Sequence, residues 1–381
     1  MKILICSLTY PLLNGVTVSI DATVDGLVAK GDEVIVVAPR YGKGKHRPEH
    51  YPVPSSYLVK ALGSLIGKDE RTFGITAYYH IEKIIKRFNP DVCWLHTLTW
   101  APNAFELNML RSKALKVLTY HTLVEAYGRI YGGEIGANLM KRRSRSVCNK
   151  MDVVITPSKI IEKKLRTYNV TKPIYPIPTG IEEVGKYFTK KELHKEFNIP
   201  LGSKVLISVG RVCKEKNIDA LLKIMKKIKD RSKDLYLLLI GPGESESFKS
   251  LAEKLKISDR VIFAGPLPKE KVQKAYGGAD AFVFASKTDT QGLVIGEAMM
   301  AEIPVIALES QIIPDVYPRK TLSSVKNQSD FSNAVFDILK NTKKRERLVK
   351  NAKKFILENF SRESMTRRQR ELFLKIHNNK S

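Results

Sequence analysis

Two carboxylates, Asp289 and Glu297, stand on either side of an expected strand-to-helix turn in the stretch from Ser286 to Ala298. Asp289 falls in the loop and Glu297 within the helix, so the two acids have separate jobs. Backbone donors around Gln291, Gly292, Leu293 and Val294 start that helix, where unpaired N–H groups and the helix dipole favour an anion. A diphosphate facing these donors leaves Asp289 to accept hydroxyls of a sugar and Glu297 to accept those of a ribose.

Other strand exits carry matching chemistry. The segment Gly210-Arg211-Val212-Cys213-Lys214-Glu215-Lys216-Asn217 offers a planar guanidinium fork and an ammonium point charge, a pairing suited to a diphosphate. Two cations this close are commonplace in a lysine-rich chain, and their place after a strand and a glycine sets them apart. Gly241-Pro242-Gly243 and Gly265-Pro266-Leu267-Pro268 end the next two strands with tight turns against which a nucleobase could lie. His121 follows a strand ending near Tyr120, and Gly15 closes the loop from Thr9 that opens the first helix. That loop lacks the GxGxxG spacing of a dinucleotide fingerprint.

These residues need a scaffold that brings strand ends together, and open parallel sheets do so, binding ligands beyond the carboxyl ends of their strands. Short Val- and Ile-rich runs alternate with helical patterns, the signature of repeated βαβ units. The first half reads as strands near 2–7, 33–38, 91–95, 115–120, 153–156 and 174–176, with helices including Val16 to Ala29, Ala77 to Phe88 and Asn138 to Lys150. A proline-rich stretch from Lys172 to Gly180 marks a hinge. Strands then resume near 204–209, 235–240, 261–264, 281–284 and 304–307, and the chain is helical after Ser329. At 381 residues two domains are expected: 1–178, 179–360, and a helix over 361–381 returning to the first.

Lys and Arg total 65 against 39 for Asp and Glu, a net charge of +26 that favours polyanionic partners. No zinc spacing, aromatic RNA-binding signature or helix-turn-helix pattern supports nucleic acid as that partner. Cys6, Cys93, Cys148 and Cys213 lie far apart with no metal or disulfide framework, and no apolar run approaches the roughly 18 residues of a membrane span. Met1 leads straight into a strand with no targeting leader, so a cytoplasmic location is expected. Lys60, Lys68 and Arg71 lie among aromatic and aliphatic residues, and Lys141, Arg142, Arg143 and Arg145 form a second basic cluster. Both read as a surface for an anionic membrane.

The chain resembles the retaining GT-B glycosyltransferases, the large family that includes sucrose synthase and the phosphatidylinositol mannosyltransferases. That family carries a loop glutamate and a helix glutamate separated by seven residues around a Gly-Leu step. Here Asp289, Gly292-Leu293 and Glu297 hold that spacing, with Asp in place of the first Glu, one methylene shorter. Its Arg and Lys pair matches Arg211 and Lys216, and its first-domain histidine matches His121; Asn14-Gly15 stands where it usually has two glycines. Thr119-Tyr120-His121-Thr122 with Glu125 and Tyr127, and Thr288 to Leu293, look most like the diacylglycerol glucosyltransferases.

The resemblance implies two Rossmann-like domains facing each other across a cleft. It also implies transfer with retention from a UDP-sugar, without a tightly held metal or cofactor. His121, Arg211, Lys216 and Asp289 are the implied catalytic residues, and the implied acceptor is diacylglycerol or another lipid on the inner face of the cell membrane. A soluble glycan or sugar-phosphate acceptor, a nucleotide-sugar epimerase and a nucleic-acid-binding protein are the competing readings.

Overall fold

The computed structural model describes residues 1–12, 14–41, 48–56, 72–74, 76–286, 289–310 and 312–378. Lys60, Lys68 and Arg71 lie outside the described residues.

The chain divides into two compact units, one of Met1–Gly180 with Arg362–Ser381 and one of Ile181–Ser361. The first is built on a seven-stranded sheet. Its strands are β1 (Lys2–Cys6), β2 (Glu33–Pro39), β3 (His50–Val53), β6 (Val92–Leu95), β7 (Leu115–Thr119), β8 (Val153–Thr156) and β9 (Ile174–Pro176). They lie in the order β3-β2-β1-β6-β7-β8-β9, and every pairing is parallel. A separate antiparallel pair joins β4 (Ser55–Ser56) to β5 (Thr72–Phe73). β6 and β8 are buried along their whole length, as unbroken apolar runs such as Val92-Cys93-Trp94-Leu95 require when helices cover both faces of a sheet.

The second unit repeats the plan with β10 (Lys204–Val209), β11 (Leu235–Ile240), β12 (Val261–Gly265), β13 (Ala281–Phe284), β14 (Val305–Leu308) and β15 (Ser323–Val325). Its order is β12-β11-β10-β13-β14-β15, again all parallel. Both are doubly wound sheets whose strand order reverses once, between β1 and β6 in one and between β10 and β13 in the other. That reversal opens a crevice at the carboxyl ends of the two strands, where ligands bind in such folds.

Four strands were not anticipated: the short pair β4 and β5, and β3 and β15, which are the edges of their sheets. β3 contains Pro52, which cannot donate to a ladder and is tolerated at an edge, while β15 is a three-residue Ser-Ser-Val segment of little apolar content. Neither looks like a strand until a neighbour supplies the pairing.

The helix Arg362–Asn378 belongs to the first unit, where it packs on the helix Gly15–Ala29. The two approach so closely that a Cβ on Gly26 would lie 1.9 Å from Thr366 Oγ1. Met365, Leu372 and Phe373 enter the core with Ile3, Ile5 and Ile20, and the Phe373 ring meets Trp94 edge-on at 5.0 Å.

Candidate active site

In the second unit the strand ends at the crevice hold the predicted donor residues. After β10 the chain turns through Gly210, then forms a short 3₁₀ turn over Lys214–Lys216. Asn217 follows in the left-handed region at φ 58° and donates its Nδ2 to the Ala285 carbonyl, 3.1 Å away, just past β13. This bond ties the exits of β10 and β13 together. Its result is that Lys216 Nζ lies 2.7 Å from Asp289 Oδ1, both groups largely shielded from water. The other oxygen, Asp289 Oδ2, is buried without a hydrogen-bond partner among the described residues. A carboxylate with one oxygen neutralised and the other bare is set up to accept a hydroxyl.

Arg211 does not join that pair. Its guanidinium is held by Glu215 within the same loop, and its side chain is half exposed. The loop after β11 fits closely beneath: Gly241 has φ 145°, and a Cβ there would lie 2.0 Å from the Gly210 carbonyl oxygen. Gly265 ends β12 and accepts the Gly241 N–H at 2.9 Å, with half-buried Leu267 two residues on. Gly210, Gly265 and Leu267 thus line the strand exits on the β10–β12 side.

The helix Leu293–Met300 begins at Gly292, whose φ of 70° is a conformation that a side chain strains. Tyr317 Oη donates to the Gly292 carbonyl at 3.0 Å and pins this start. The first-turn N–H groups of an α-helix have no partner inside it, so those near Leu293 and Val294 present the donor end. Gln291 is buried immediately before it. Glu297, one turn further, accepts the Tyr276 hydroxyl at 2.7 Å. Loss of solvation raises the Glu297 carboxyl above its ordinary range, against the opposing pull of Tyr276 and of Lys269.

The first unit holds different groups at its own strand exits. His96 follows β6 directly and donates its backbone N–H to the Cys6 carbonyl at 2.8 Å, at the point where the strand order reverses. His121 comes two residues after β7. Its Nε2 lies 2.9 Å from His96 Nδ1, and the two rings stack at 5.1 Å. Burial lowers His121 to about 4, and burial with the neighbouring His121 lowers His96 well below the ordinary range. Gly15 is the exposed first residue of its helix, capped by Asn14 through a 2.9 Å bond from the Thr17 N–H.

Sequence reading missed His96, Tyr276 and Tyr317. For His96 the signal was present, because it occupies a strand exit as His121 does. The tyrosines act across a helix pair and a distant turn, which no local pattern reveals.

The basic cluster of the first unit divides. Arg142 and Arg145 are exposed and Lys141 is partly so, but Arg143 turns inward. Its Nη1 lies 3.0 Å from Glu106 Oε1, its Nη2 pairs with the other carboxylate oxygen, and its Nε donates to the Thr99 carbonyl at 3.0 Å. Glu106 is 1% exposed, and a buried carboxylate demands such a partner. Arg143 is therefore a structural residue, in place of the membrane contact expected of it.

Among the described residues no helix is long and apolar enough to cross a membrane. Two family profiles together span most of the chain: "Glycosyltransferase Family 4" over residues 13–183 and "Glycosyl transferases group 1" over 189–355. An alpha-monoglucosyldiacylglycerol synthase of Streptococcus pneumoniae is 29% identical over 87% of this chain and 76% of its own. An N-acetyl-alpha-D-glucosaminyl L-malate synthase of Bacillus anthracis is 24% identical over 77% of each. The solved sucrose-phosphate synthase of Thermosynechococcus elongatus superimposes over 100% of both chains with a TM-score of 0.81 at 19% identity. Anabaena HepE, solved with UDP-glucose, gives 0.74 over 98% of this chain and 100% of its own, at 14% identity. The chain belongs to the group 1 glycosyltransferases of GT-B fold.

Proposed function

We propose that this enzyme transfers glucose from UDP-glucose to 1,2-diacylglycerol with retention at the anomeric carbon, working at an anionic membrane surface. The observation that carries the reading is the Lys216–Asp289 contact beside the helix start at Gly292, at the strand reversal of the second sheet. Lys216, Arg211 and the first-turn N–H groups stabilise charge on the departing diphosphate. Asp289 accepts sugar hydroxyls through its bare oxygen, and Glu297, oriented by Tyr276, accepts those of the ribose. The acceptor hydroxyl attacks the anomeric carbon on the face the diphosphate leaves. The bond from that carbon to the phosphate oxygen breaks, the new glycosidic bond forms, and the acceptor proton passes to a β-phosphate oxygen. His121 supports the sugar as a neutral imidazole. Neither a metal nor a side-chain base is required.

The lipid acceptor draws support from the diacylglycerol synthase relative and from one helix face. Ile135 is 84% exposed and Leu139 54%, one turn apart, with Arg142 on the same stripe and Arg145 beside it. Exposed apolar residues backed by arginines suit an acyl–headgroup boundary.

The test is transfer of labelled glucose from UDP-glucose to diacylglycerol in mixed micelles, with and without anionic lipid, following both glycolipid and free UDP. Glucosylated lipid whose yield rises with anionic lipid, and falls in an Arg142→Glu/Arg145→Glu variant, is the expected result. UDP release without lipid product would move the acceptor to a soluble molecule, as the malate-named relative illustrates.

A further inference from the structure

The histidine that sequence reading overlooked is hydrogen-bonded to the one it singled out. Two imidazole nitrogens at 2.9 Å share a single proton, since two bare lone pairs or two N–H groups would repel. Burial keeps both rings neutral near pH 7, so each carries one proton and only two arrangements remain. If His121 donated, His96 would hold its own proton on Nε2, which is buried with no partner among the described residues. A buried N–H without an acceptor is rarer and costlier than an acceptor with an unused lone pair. The arrangement with His96 as donor avoids it.

His96 is also the better fixed of the two rings. Its backbone N–H is bound to Cys6 at the end of β1, its ring lies 4.7 Å from that of Trp94, and the Trp94 indole is in turn anchored by a 2.8 Å bond to Thr119 Oγ1. A ring held by three strands can dictate the state of its neighbour.

We propose that His96 is a positioning residue that donates from Nδ1 to His121 Nε2, so that His121 carries its own proton on Nδ1. His121 is then a hydrogen-bond donor to oxygen at Nδ1 and cannot act as a base through Nε2. This rests on the reading of His121 as part of the transfer site, and it adds the direction in which that residue's proton points.

The first arm of the test needs no activity. In full-length protein labelled with ¹⁵N-histidine, and with His121 signals identified by their loss in His121→Gln, long-range proton–nitrogen spectra report which nitrogen bears the proton. The expected result is a protonated Nδ1 and an accepting Nε2. In His96→Leu the proton moves wholly or partly to Nε2, whereas His96→Asn, whose amide can donate from the place of Nδ1, keeps the wild-type pattern. A wild-type His121 protonated on Nε2, or a pattern unchanged in a folded His96→Leu, overturns the proposal.

The second arm is transfer from UDP-glucose to diacylglycerol. His96→Leu is expected to lower kcat about 10-fold with the donor KM little changed, and His96→Asn to recover most of it, as loss and return of one hydrogen bond imply. Tautomers that behave as described alongside unchanged rates would uphold the pair and remove His121 from the reaction.

Discussion

The two units present the same topological opening and fill it with opposite electrostatics. Beyond β10 and β13 stand ions, Lys216 against Asp289 at 2.7 Å, beside the donor end of a helix. Beyond β6 and β7 stand two imidazoles that burial holds neutral. The doubly wound fold therefore supplies a place and leaves the chemistry to side chains at the strand exits. Charges suit a group that carries and gains negative charge, such as a diphosphate. Uncharged donors suit a partner made of hydroxyls.

The strongest way to break this comparison is to remove the cation. Lys216→Ala is expected to lower turnover by about 100 to 1,000-fold while thermal unfolding stays near that of the parent, because the loss falls on transition-state charge. Wild-type rates in the folded variant would sink the assignment of the second unit as the charged half.

Acid sharpens the other side. Both histidines are depressed below their ordinary value of 6.5, His121 to about 4, so the unfolded chain takes up protons at pH values where the folded one refuses them. Their contribution to stability is complete above pH 6.5 and shrinks as pH falls toward 4, by up to about 1.4 kcal/mol per pH unit for each histidine. Both tryptophans of the chain, Trp94 and Trp100, lie in the first unit, so their fluorescence follows that unit through a urea titration. The midpoint is expected to be lower at about pH 5.5 than at pH 7.5, with a smaller drop in His121→Gln. Equal drops in the two proteins would show that His121 is not held neutral by the fold.

The smallest expected effect concerns orientation. Tyr276→Phe deletes the hydroxyl that Glu297 accepts and should weaken UDP binding about 3 to 10-fold, measured by calorimetry, with the fold retained. Unchanged affinity would count against the proposed role of the Tyr276–Glu297 pair in holding the nucleotide.

Much of this arrangement could be read from the chain alone, because parallel strands buried on both faces leave unmistakable apolar runs and their exits can be searched for polar residues. Asp289, Lys216 and His121 were found that way. Arg143 was misread because its neighbours Arg142 and Arg145 do face water, and only the fold brings Glu106, 37 positions away, to its guanidinium. β3 and β15 were unreadable for a related reason: an edge strand is defined by its partner, and Pro52 argues against a strand until that partner is known.

The membership of the helix Arg362–Asn378 in the first unit has a consequence for synthesis. The segment Ile181–Ser361 is contiguous and can mature as soon as it clears the ribosome. The first unit emerges earlier yet lacks Met365, Leu372 and Phe373, which seal its core beside Trp94. The half of the enzyme translated first is thus the half that finishes last, and until then the face of the helix Gly15–Ala29 that Arg362–Asn378 covers is left without its partner.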